Sequence, residues 1–243
     1  MMNENYAVRM LEAKTLVQDP AAADRLALLF DVIDFDNIKT VCEIGSRFLE
    51  QTLEMAHIFP AAKFYAFEPT PGSFQICTDN RNNQIESVKD RISLYNLAVS
   101  DKTEQISFYE VDDTGSEHNV GASSKYKFVE GLNGSFFGKT WNQREIKVDA
   151  ITLDEWAKKT NPGPIDLIWI DAQGSELDAF KGAENVLQDV KVIFSEVGIA
   201  TYYEGQSLKP DIDAYLFSQG FKELEYGFKL NHPFEGDTIY IKE

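Results

Sequence analysis

The chain has few cysteines and no long apolar run. Cys42 and Cys77 are the only two cysteines in 243 residues, and a disulfide framework needs more of them. We therefore expect a reduced, cytoplasmic protein. No window reaches the ~18 consecutive apolar residues of a membrane span. The first residues, Met-Met-Asn-Glu-Asn, lack the basic and apolar regions of a signal peptide. No membrane contact is predicted.

Basic residues are also scarce. The chain has 23 Lys and Arg against 40 Asp and Glu, which gives a formal net charge of −17 and a pI near 4.6. Nucleic-acid binding requires basic side chains that displace counterions from the phosphates. The charge balance therefore argues against nucleic acid and against anionic membranes. A small neutral acceptor or a cationic ligand is easier to accommodate.

The apolar residues predict an α/β protein. Leu26, Leu29, Phe30 and Ile33 have helical spacing, so residues 1–37 are expected to form a helical segment before a domain at 38–243. In that domain predicted strands alternate with predicted helices, as in a parallel sheet with right-handed crossovers. The strands are expected at 40–44, 63–67, 92–96, 165–170 and 192–197, and the helices at 49–59, 72–82, 153–159 and 211–218.

The middle of the chain interrupts this alternation. Strands are predicted at 106–111 and 145–150, and between them lies an insert at about 112–142 rich in Gly, Ser and Asn. Such a segment is too long for an ordinary connection and is either a functional lid or disordered. Its aromatic residues, Phe128, Phe136, Phe137 and Trp141, favour the lid. Further along, strands at 221–226 and 238–241 are predicted to form a hairpin-like pair.

Short polar or acidic residues follow most of the predicted strands. Because ligands of such sheets bind beyond the carboxyl ends of the strands, we expect these residues to share one rim. Glu68 lies about twenty residues after the first strand and its glycine, where an acidic side chain accepts hydrogen bonds from a ribose. Neither G-x-G-x-x-G nor a phosphate-binding loop follows that strand. A nucleoside without phosphates is therefore favoured over NAD.

Four motifs, taken in order, resemble the FkbM-type S-adenosylmethionine-dependent methyltransferases. They are Glu43-Ile-Gly45-Ser46, Phe67-Glu68-Pro69, Asn96-Leu-Ala98-Val-Ser-Asp101 and Ile170-Asp171-Ala-Gln-Gly174-Ser-Glu176. The resemblance covers about residues 38–200. It implies a class I, Rossmann-like methyltransferase fold, a three-layer α/β/α sandwich with a mostly parallel seven-stranded sheet and an antiparallel C-terminal strand. It also implies S-adenosylmethionine as methyl donor and O-methylation of a sugar, glycan or small natural product.

The resemblance assigns roles to residues on the rim. Gly45 and Ser46 would face the methionine part of the cofactor, Glu68 the ribose, Ala98 the adenine, and Asp171 the region near the methionine. With their motif neighbours, the expected cofactor-binding residues are Glu43, Gly45, Ser46, Glu68, Pro69, Ala98 and Asp171. The chain departs from the family pattern twice. It has Arg47-Phe48-Leu49-Glu50 where a second glycine is usual, and Gln173-Gly174 where an acidic residue usually precedes the glycine.

A hydroxyl acceptor must lose its proton, and three residues are candidates for the base that accepts it: Asp171, Glu196 and His118. These three could together hold a divalent metal, but nothing in their spacing requires one, so no metal is predicted. Two alternatives to a methyltransferase stay open. One is a cofactor-binding interaction module without turnover, and the other is an NAD-type oxidoreductase.

Overall fold

The computed structural model describes residues 35–111, 120–131, 141–225 and 227–243. The helical segment predicted at 1–37 lies outside these ranges except for a short 3-10 helix at Phe35–Asn37. His118, Phe136 and Phe137 of the middle insert also lie outside them. Within the described ranges no helix is long and apolar enough to cross a membrane.

Five parallel strands form the centre of the main sheet, in the order β3-β2-β1-β7-β8. Apolar runs bounded by glycine, proline or polar residues produce these strands, and the amphipathic segments between them form the crossover helices. The elements are β1 (Thr40–Ile44), α1 (Glu50–Ile58), β2 (Lys63–Phe67), α2 (Pro71–Asn82), α3 (Glu86–Lys89), β3 (Ile92–Tyr95), α4 (Leu153–Thr160), β7 (Leu167–Ile170), α5 (Glu176–Lys181) and β8 (Val192–Gly198).

The C-terminal part extends this sheet with antiparallel strands. Helix α6 (Lys209–Ser218) leads to β9 (Phe221–Glu223), β10 (Lys229–His232) and β11 (Glu235–Lys242). Strand β11 pairs with β8, and its two halves pair with β10 and β9. The predicted pairing of 221–226 with 238–241 is confirmed by β9 and β11, although the two strands are not a simple hairpin because β10 lies between them in the chain. The main sheet has eight described strands, seven of them along one continuous path.

Three strands of the middle region form a separate sheet. Strand β6 (Gln143–Ile151) pairs antiparallel with β5 (Glu104–Val111) and parallel with β4 (Ala98–Val99). Their alternating burial leaves one face exposed, as the sequence pattern of β6 predicts. The small sheet follows β3 in the chain, so it brings Ala98 and Phe108 beside the carboxyl ends of the main strands.

Two apolar clusters, one on each face of the main sheet, make the domain a three-layer α/β/α sandwich. Side chains alternate between them along the strands, so Val41 faces one layer and Cys42 the other. Thr152 accepts a hydrogen bond from the Glu155 backbone N–H, as expected of an N-cap. Ser175 occupies the N-cap position of α5, but its hydroxyl donates to the carbonyl of Ala172 and does not accept a hydrogen bond from the first turn.

Candidate active site at the carboxyl ends of the strands

A cavity of about 410 Å³ opens at the carboxyl ends of the parallel strands. Five of the seven expected cofactor-binding residues line it. These are Gly45, Glu68, Pro69, Ala98 and Asp171. Glu196 also lines the cavity, whereas Glu43 and Ser46 are buried behind its wall. Residues that follow separate strands in the sequence therefore border one open cavity.

The loop after β1 holds two strand ends together. Gly45 has φ +86°, and a Cβ placed on it would lie 1.9 Å from the carbonyl oxygen of Asp171. The backbone N–H groups of Gly45 and Ser46 both donate to the carbonyl of Phe67, each at 3.0 Å. Only glycine fits this position, because a side chain would force β1 and β7 apart. The loop thus fixes one wall of the cavity.

The second glycine of the family pattern is absent, and the backbone still takes the conformation that favours glycine. Arg47 has φ +48° and Leu49 has φ +72°. The Leu49 side chain is fully buried, and Arg47 forms an ion pair with Glu50 at 2.8 Å. These contacts stabilise left-handed backbone that costs non-glycine residues about 1–3 kcal/mol each. The departure in sequence therefore leaves the turn in place.

Glu68 is held by hydrogen bonds to both of its carboxylate oxygens. Oε2 accepts the backbone N–H of Arg47 at 2.9 Å, while Oε1 accepts the N–H and the hydroxyl of Thr70 at 2.9 and 2.6 Å. Burial raises the pKa of Glu68, and these donors oppose that rise. Each carboxylate oxygen accepts more than one donor. Glu68 can therefore still bind hydroxyl groups of a ligand from a fixed position.

Glu43 is fully buried beneath this loop. Thr52 donates its hydroxyl to Glu43 Oε2, and Oε1 has no hydrogen-bond partner among the described residues. Burial raises the pKa of Glu43 to about 8. The structure thus places Glu43 where it can support the loop from below rather than line the cavity.

Acidic side chains continue across the sheet on the far side of the cavity. The pairing of Ile170 with Ser195 brings Asp171 beside Glu196, and Glu196 is paired with Asp237 on β11. Glu196 and Asp237 are both largely buried. Burial, followed by the negative charge of Asp171, raises the pKa of Glu196 well above its ordinary value. Among the described residues, no Lys or Arg forms a salt bridge with Asp171 or Glu196.

Gln173 connects the two carboxylates of this row. Its Nε2 lies 2.8 Å from Asp171 Oδ1 and 2.6 Å from Glu196 Oε2. Its Oε1 is 2.7 Å from the hydroxyl of Tyr203, and its backbone carbonyl accepts the Ser124 hydroxyl at 2.7 Å. This bridge was missed from the sequence, where Gln173 was noted only as a departure from the family pattern. Gln173 lies in a tight loop three positions before Glu176. Loop residues show no helical or strand periodicity, so the sequence does not indicate which way this side chain points.

The described parts of the middle insert form the outer wall. The 3-10 helix at Val120–Ala122, together with Ser123 and Trp141, lines the cavity. Phe128 packs on Tyr203 with ring centroids 5.3 Å apart, and Glu204 donates its backbone N–H to the carbonyl of Lys127. Tyr202 lines the cavity together with Trp169 and Phe194.

One oxygen each from Asp171, Glu176 and Glu196 lies within 4.8 Å of the other two. Such a group of carboxylates has the donor chemistry of a hard divalent cation. His118, the third catalytic candidate and the residue once considered with Asp171 and Glu196 as a metal ligand, lies outside the described residues. Glu176 takes the position beside the other two instead.

The strand order 3-2-1-7-8 with an antiparallel β11 and the ligand cavity at the carboxyl ends define a class I methyltransferase fold. Solved structures of that class agree. The chain superposes on magnesium protoporphyrin IX methyltransferase from Synechocystis PCC 6803, determined with bound SAM, with a TM-score of 0.50 and 10% identity over 96% of this chain and 80% of that one. TrmK from M. capricolum, in complex with S-adenosyl-homocysteine, gives a TM-score of 0.50 and 12% identity over 93% and 69%.

The family follows from the sequence match. Residues 43–229 match the model of the methyltransferase FkbM domain, and the chain belongs to that family, which confirms the resemblance. It is 26% identical over 168 residues to the 2-O-methyltransferase NoeI of Sinorhizobium fredii, covering 68% of this chain and 66% of NoeI. It is 21% identical to the methyltransferase sdnD of Sordaria araneosa, covering 89% and 85%. The chain thus spans slightly less than two thirds of the length of NoeI.

Proposed function

We propose that this chain transfers a methyl group from S-adenosylmethionine to a hydroxyl of a sugar, glycan or small natural product. The observation that carries the proposal is that Gly45, Glu68 and the Asp171–Glu196 pair all border the same cavity. Membership of the FkbM family supports the donor. The 2-O-methyltransferase NoeI, as a relative, supports oxygen as the acceptor atom.

The wall near β1 and β2 suits the donor. Gly45 leaves room that a Cβ would fill, and Glu68 is an acceptor-only carboxylate fixed for the two hydroxyls of a ribose. Ala98 and Pro69 offer small apolar surfaces beside it. Ser46 and Glu43 would act from behind the wall by holding the loop. The donor is a sulfonium cation, which an acidic cavity favours.

The wall near β8 and β11 suits the acceptor. Strands β1 and β7 separate β2 from β8, so at about 4.8 Å per strand Glu196 lies roughly 14 Å from Glu68 across the sheet. Trp141, Trp169, Phe194 and Tyr202 give this end aromatic surfaces, and Glu196 and Asp237 give it hydrogen-bond acceptors. Apolar faces combined with a few convergent polar groups are typical of small-molecule sites, and sugars present both kinds of surface.

The reaction requires alignment and removal of one proton. When bound, S-adenosylmethionine supplies an activated methyl: the acceptor oxygen bonds to the methyl carbon while the S–C bond breaks, and the electron pair stays on sulfur. The protein must hold that oxygen in line with the S–C bond. In this proposal Asp171 or Glu196 would accept the hydroxyl proton, and general-base catalysis of this kind contributes roughly 10²–10⁴-fold.

Two measurements test the proposal. Calorimetry should detect binding of S-adenosylmethionine and S-adenosylhomocysteine but not of NAD. Label from methyl-tritiated donor should then pass to members of a panel of neutral sugars and glycans. Binding of NAD alone would favour the oxidoreductase and refute the proposal. Donor binding without transfer to any acceptor in a broad panel would favour the interaction module.

A further inference from the structure

Glu176 is a buried acid with no function in the reaction described above. It is 1% exposed, and its Oε1 accepts the backbone N–H groups of Ala172 and Gly174 at 2.9 and 3.2 Å. Its Oε2 is buried and has no hydrogen-bond partner within the described part of the chain. A buried carboxylate oxygen left unpaired is unfavourable. This oxygen therefore requires a partner that the described side chains do not supply.

The partner is expected where other carboxylates already converge. Glu176 belongs to the group in which one oxygen each from Asp171, Glu176 and Glu196 lies within 4.8 Å of the others. No salt bridge from a described Lys or Arg reaches any of the three. Three carboxylates at this separation repel one another unless a cation or protons lie between them. Because Asp171 and Glu196 line the cavity, a cation can reach the group from solvent.

The hydrogen bonds of Gln173 indicate a further oxygen ligand beside Asp171 and Glu196. The Tyr203 hydroxyl lies 2.7 Å from Gln173 Oε1 and 3.0 Å from the carbonyl oxygen of Ala122. A hydroxyl has one proton, so it cannot donate to both acceptors. Turning the Gln173 amide by 180° lets Nε2 donate to Tyr203 and leaves Tyr203 free to donate to Ala122. Gln173 Oε1 would then lie where Nε2 is now, 2.8 Å from Asp171 and 2.6 Å from Glu196.

We propose that Asp171, Glu176 and Glu196 bind one divalent cation such as Mg²⁺, Mn²⁺ or Ca²⁺, with Gln173 Oε1 as a fourth ligand. All four ligands are oxygens, which these ions prefer, and their remaining positions would be taken by water or by acceptor oxygens. The cation would satisfy Glu176 Oε2 and separate the carboxylates. The expectation from sequence, that no metal binds, is replaced by this proposal.

The position of the cation gives it a use in the proposed reaction. A metal-bound hydroxyl loses its proton more readily than a free one. The cation would therefore take over from Asp171 and Glu196 the activation of the acceptor oxygen, with the proton passing to solvent. This role rests on the proposed methyl transfer, whereas cation binding itself does not.

Cation binding can be measured without donor or acceptor. The full chain is stripped with EDTA, dialysed and titrated with Mn²⁺ while the free ion is followed by electron paramagnetic resonance, and then with Mg²⁺ and Ca²⁺ as competitors. We expect one saturable site per chain. Glu176→Gln should weaken it about tenfold or more, since it removes one charged ligand. The matched control Glu184→Gln, on the exposed surface, should bind as the unsubstituted chain does.

Failure to find a saturable site in the unsubstituted chain would overturn the proposal, and so would equal affinity in Glu176→Gln. If Glu176→Gln does not fold, as judged by circular dichroism, Glu196→Gln provides the second variant. Methyl transfer measured separately distinguishes the two proposals. Saturable binding with no transfer would leave the cation site standing and refute the proposed function. Transfer unaffected by EDTA, with no saturable binding, would do the reverse.

Discussion

Glu43 lies in β1, and Glu68 directly follows the neighbouring strand β2. Both are buried carboxylates, but their surroundings give them different roles. Three donors hold Glu68, which lines the cavity. One hydroxyl holds Glu43, which is sealed behind the loop. Burial raises the pKa of both carboxyl groups, and the three donors oppose that rise at Glu68 more fully than Thr52 does at Glu43. Substitutions at the two positions should therefore have different effects.

Glu68→Ala should weaken binding of S-adenosylmethionine by about 1–3 kcal/mol, because it removes a buried, hydrogen-bonded acceptor from the proposed ribose site. Isothermal calorimetry measures the change. Glu86→Ala removes an exposed carboxylate from α3 and serves as the control. A thermal melt of each variant separates loss of binding from loss of fold. Unchanged affinity in a folded Glu68→Ala protein would remove Glu68 from the ribose role.

Glu43→Gln should change the pH dependence of stability. Burial raises the pKa of Glu43 from 4.5 to about 8, so the folded state keeps a proton that the unfolded chain loses above about pH 4.5. The stability contributed by this proton is present below pH 4.5 and is lost as the pH rises to about 8. The variant does not titrate and still accepts the Thr52 hydroxyl. At pH 8 it should be more stable than the unsubstituted chain by roughly 2–4 kcal/mol.

Urea denaturation at pH 5 and pH 8 provides the measurement, with Glu86→Gln as an exposed control. The advantage of Glu43→Gln should nearly disappear at pH 5. An advantage of equal size at both pH values would show that packing, and not the proton, causes the effect.

At the scale of elements, the turn after β1 depends on one residue. Gly45→Ala places a Cβ 1.9 Å from the carbonyl oxygen of Asp171 in backbone with φ +86°. We expect a loss of stability of roughly 2–4 kcal/mol, measured by urea denaturation, together with weaker donor binding. Gly72→Ala is the matched control. It lies in the first turn of α2 with no atom within 4 Å of the added Cβ, and a neutral or slightly stabilising effect is expected. Equal effects at both positions would contradict this account.

The outer wall of the cavity is attached to α5 by one aspartate. Asp178 Oδ2 accepts the Tyr126 hydroxyl at 2.6 Å and the Lys125 ammonium at 2.7 Å. Asp178→Asn should weaken both contacts. The free energy of local opening of residues 120–131 should then fall by about 1–2 kcal/mol. Amide hydrogen exchange should then be about tenfold faster in that segment. Asp189→Asn, on an exposed turn, should leave the exchange unchanged. No difference between the two variants would mean that other contacts, such as Phe128 on Tyr203, hold the wall.

The sequence predicted the elements whose signal is local. Apolar runs located the strands of the main sheet, and residues placed just after them, such as Glu68 and Asp171, border the cavity because parallel strands end at one edge. Features that depend on distant contacts could not be predicted. The bridge from Gln173 to Glu196 spans 23 positions and the contact from Tyr203 to Ala122 spans 81. Strand β10 was missed because only one of its four residues, Leu230, is apolar, so the alternation of apolar and polar residues that indicates a strand is absent.

At the scale of the whole molecule, charge and fold give different information about the acceptor. The fold accommodates many substrates and does not by itself exclude a nucleic acid. The net charge of −17 does argue against one, because binding to phosphates depends on Lys and Arg. Of the residues that line the cavity, Arg47 is the only basic one within the described chain, and it is paired with Glu50.

The chain should therefore neither bind nor methylate RNA or DNA, and neutral glycans should be preferred to phosphorylated or sulfated forms of the same sugars. Gel retardation at low salt provides the most sensitive measurement, since electrostatic binding is strongest there. Addition of Mg²⁺ is an essential second condition, because a cation at Asp171, Glu176 and Glu196 would reduce the negative potential of the cavity. If nucleic acid is retarded only with Mg²⁺ and Glu176→Gln abolishes the effect, the acceptor class must be revised while the cation site stands. Retardation without any divalent cation would contradict this prediction and would show that local basic groups outweigh the overall negative charge of the chain.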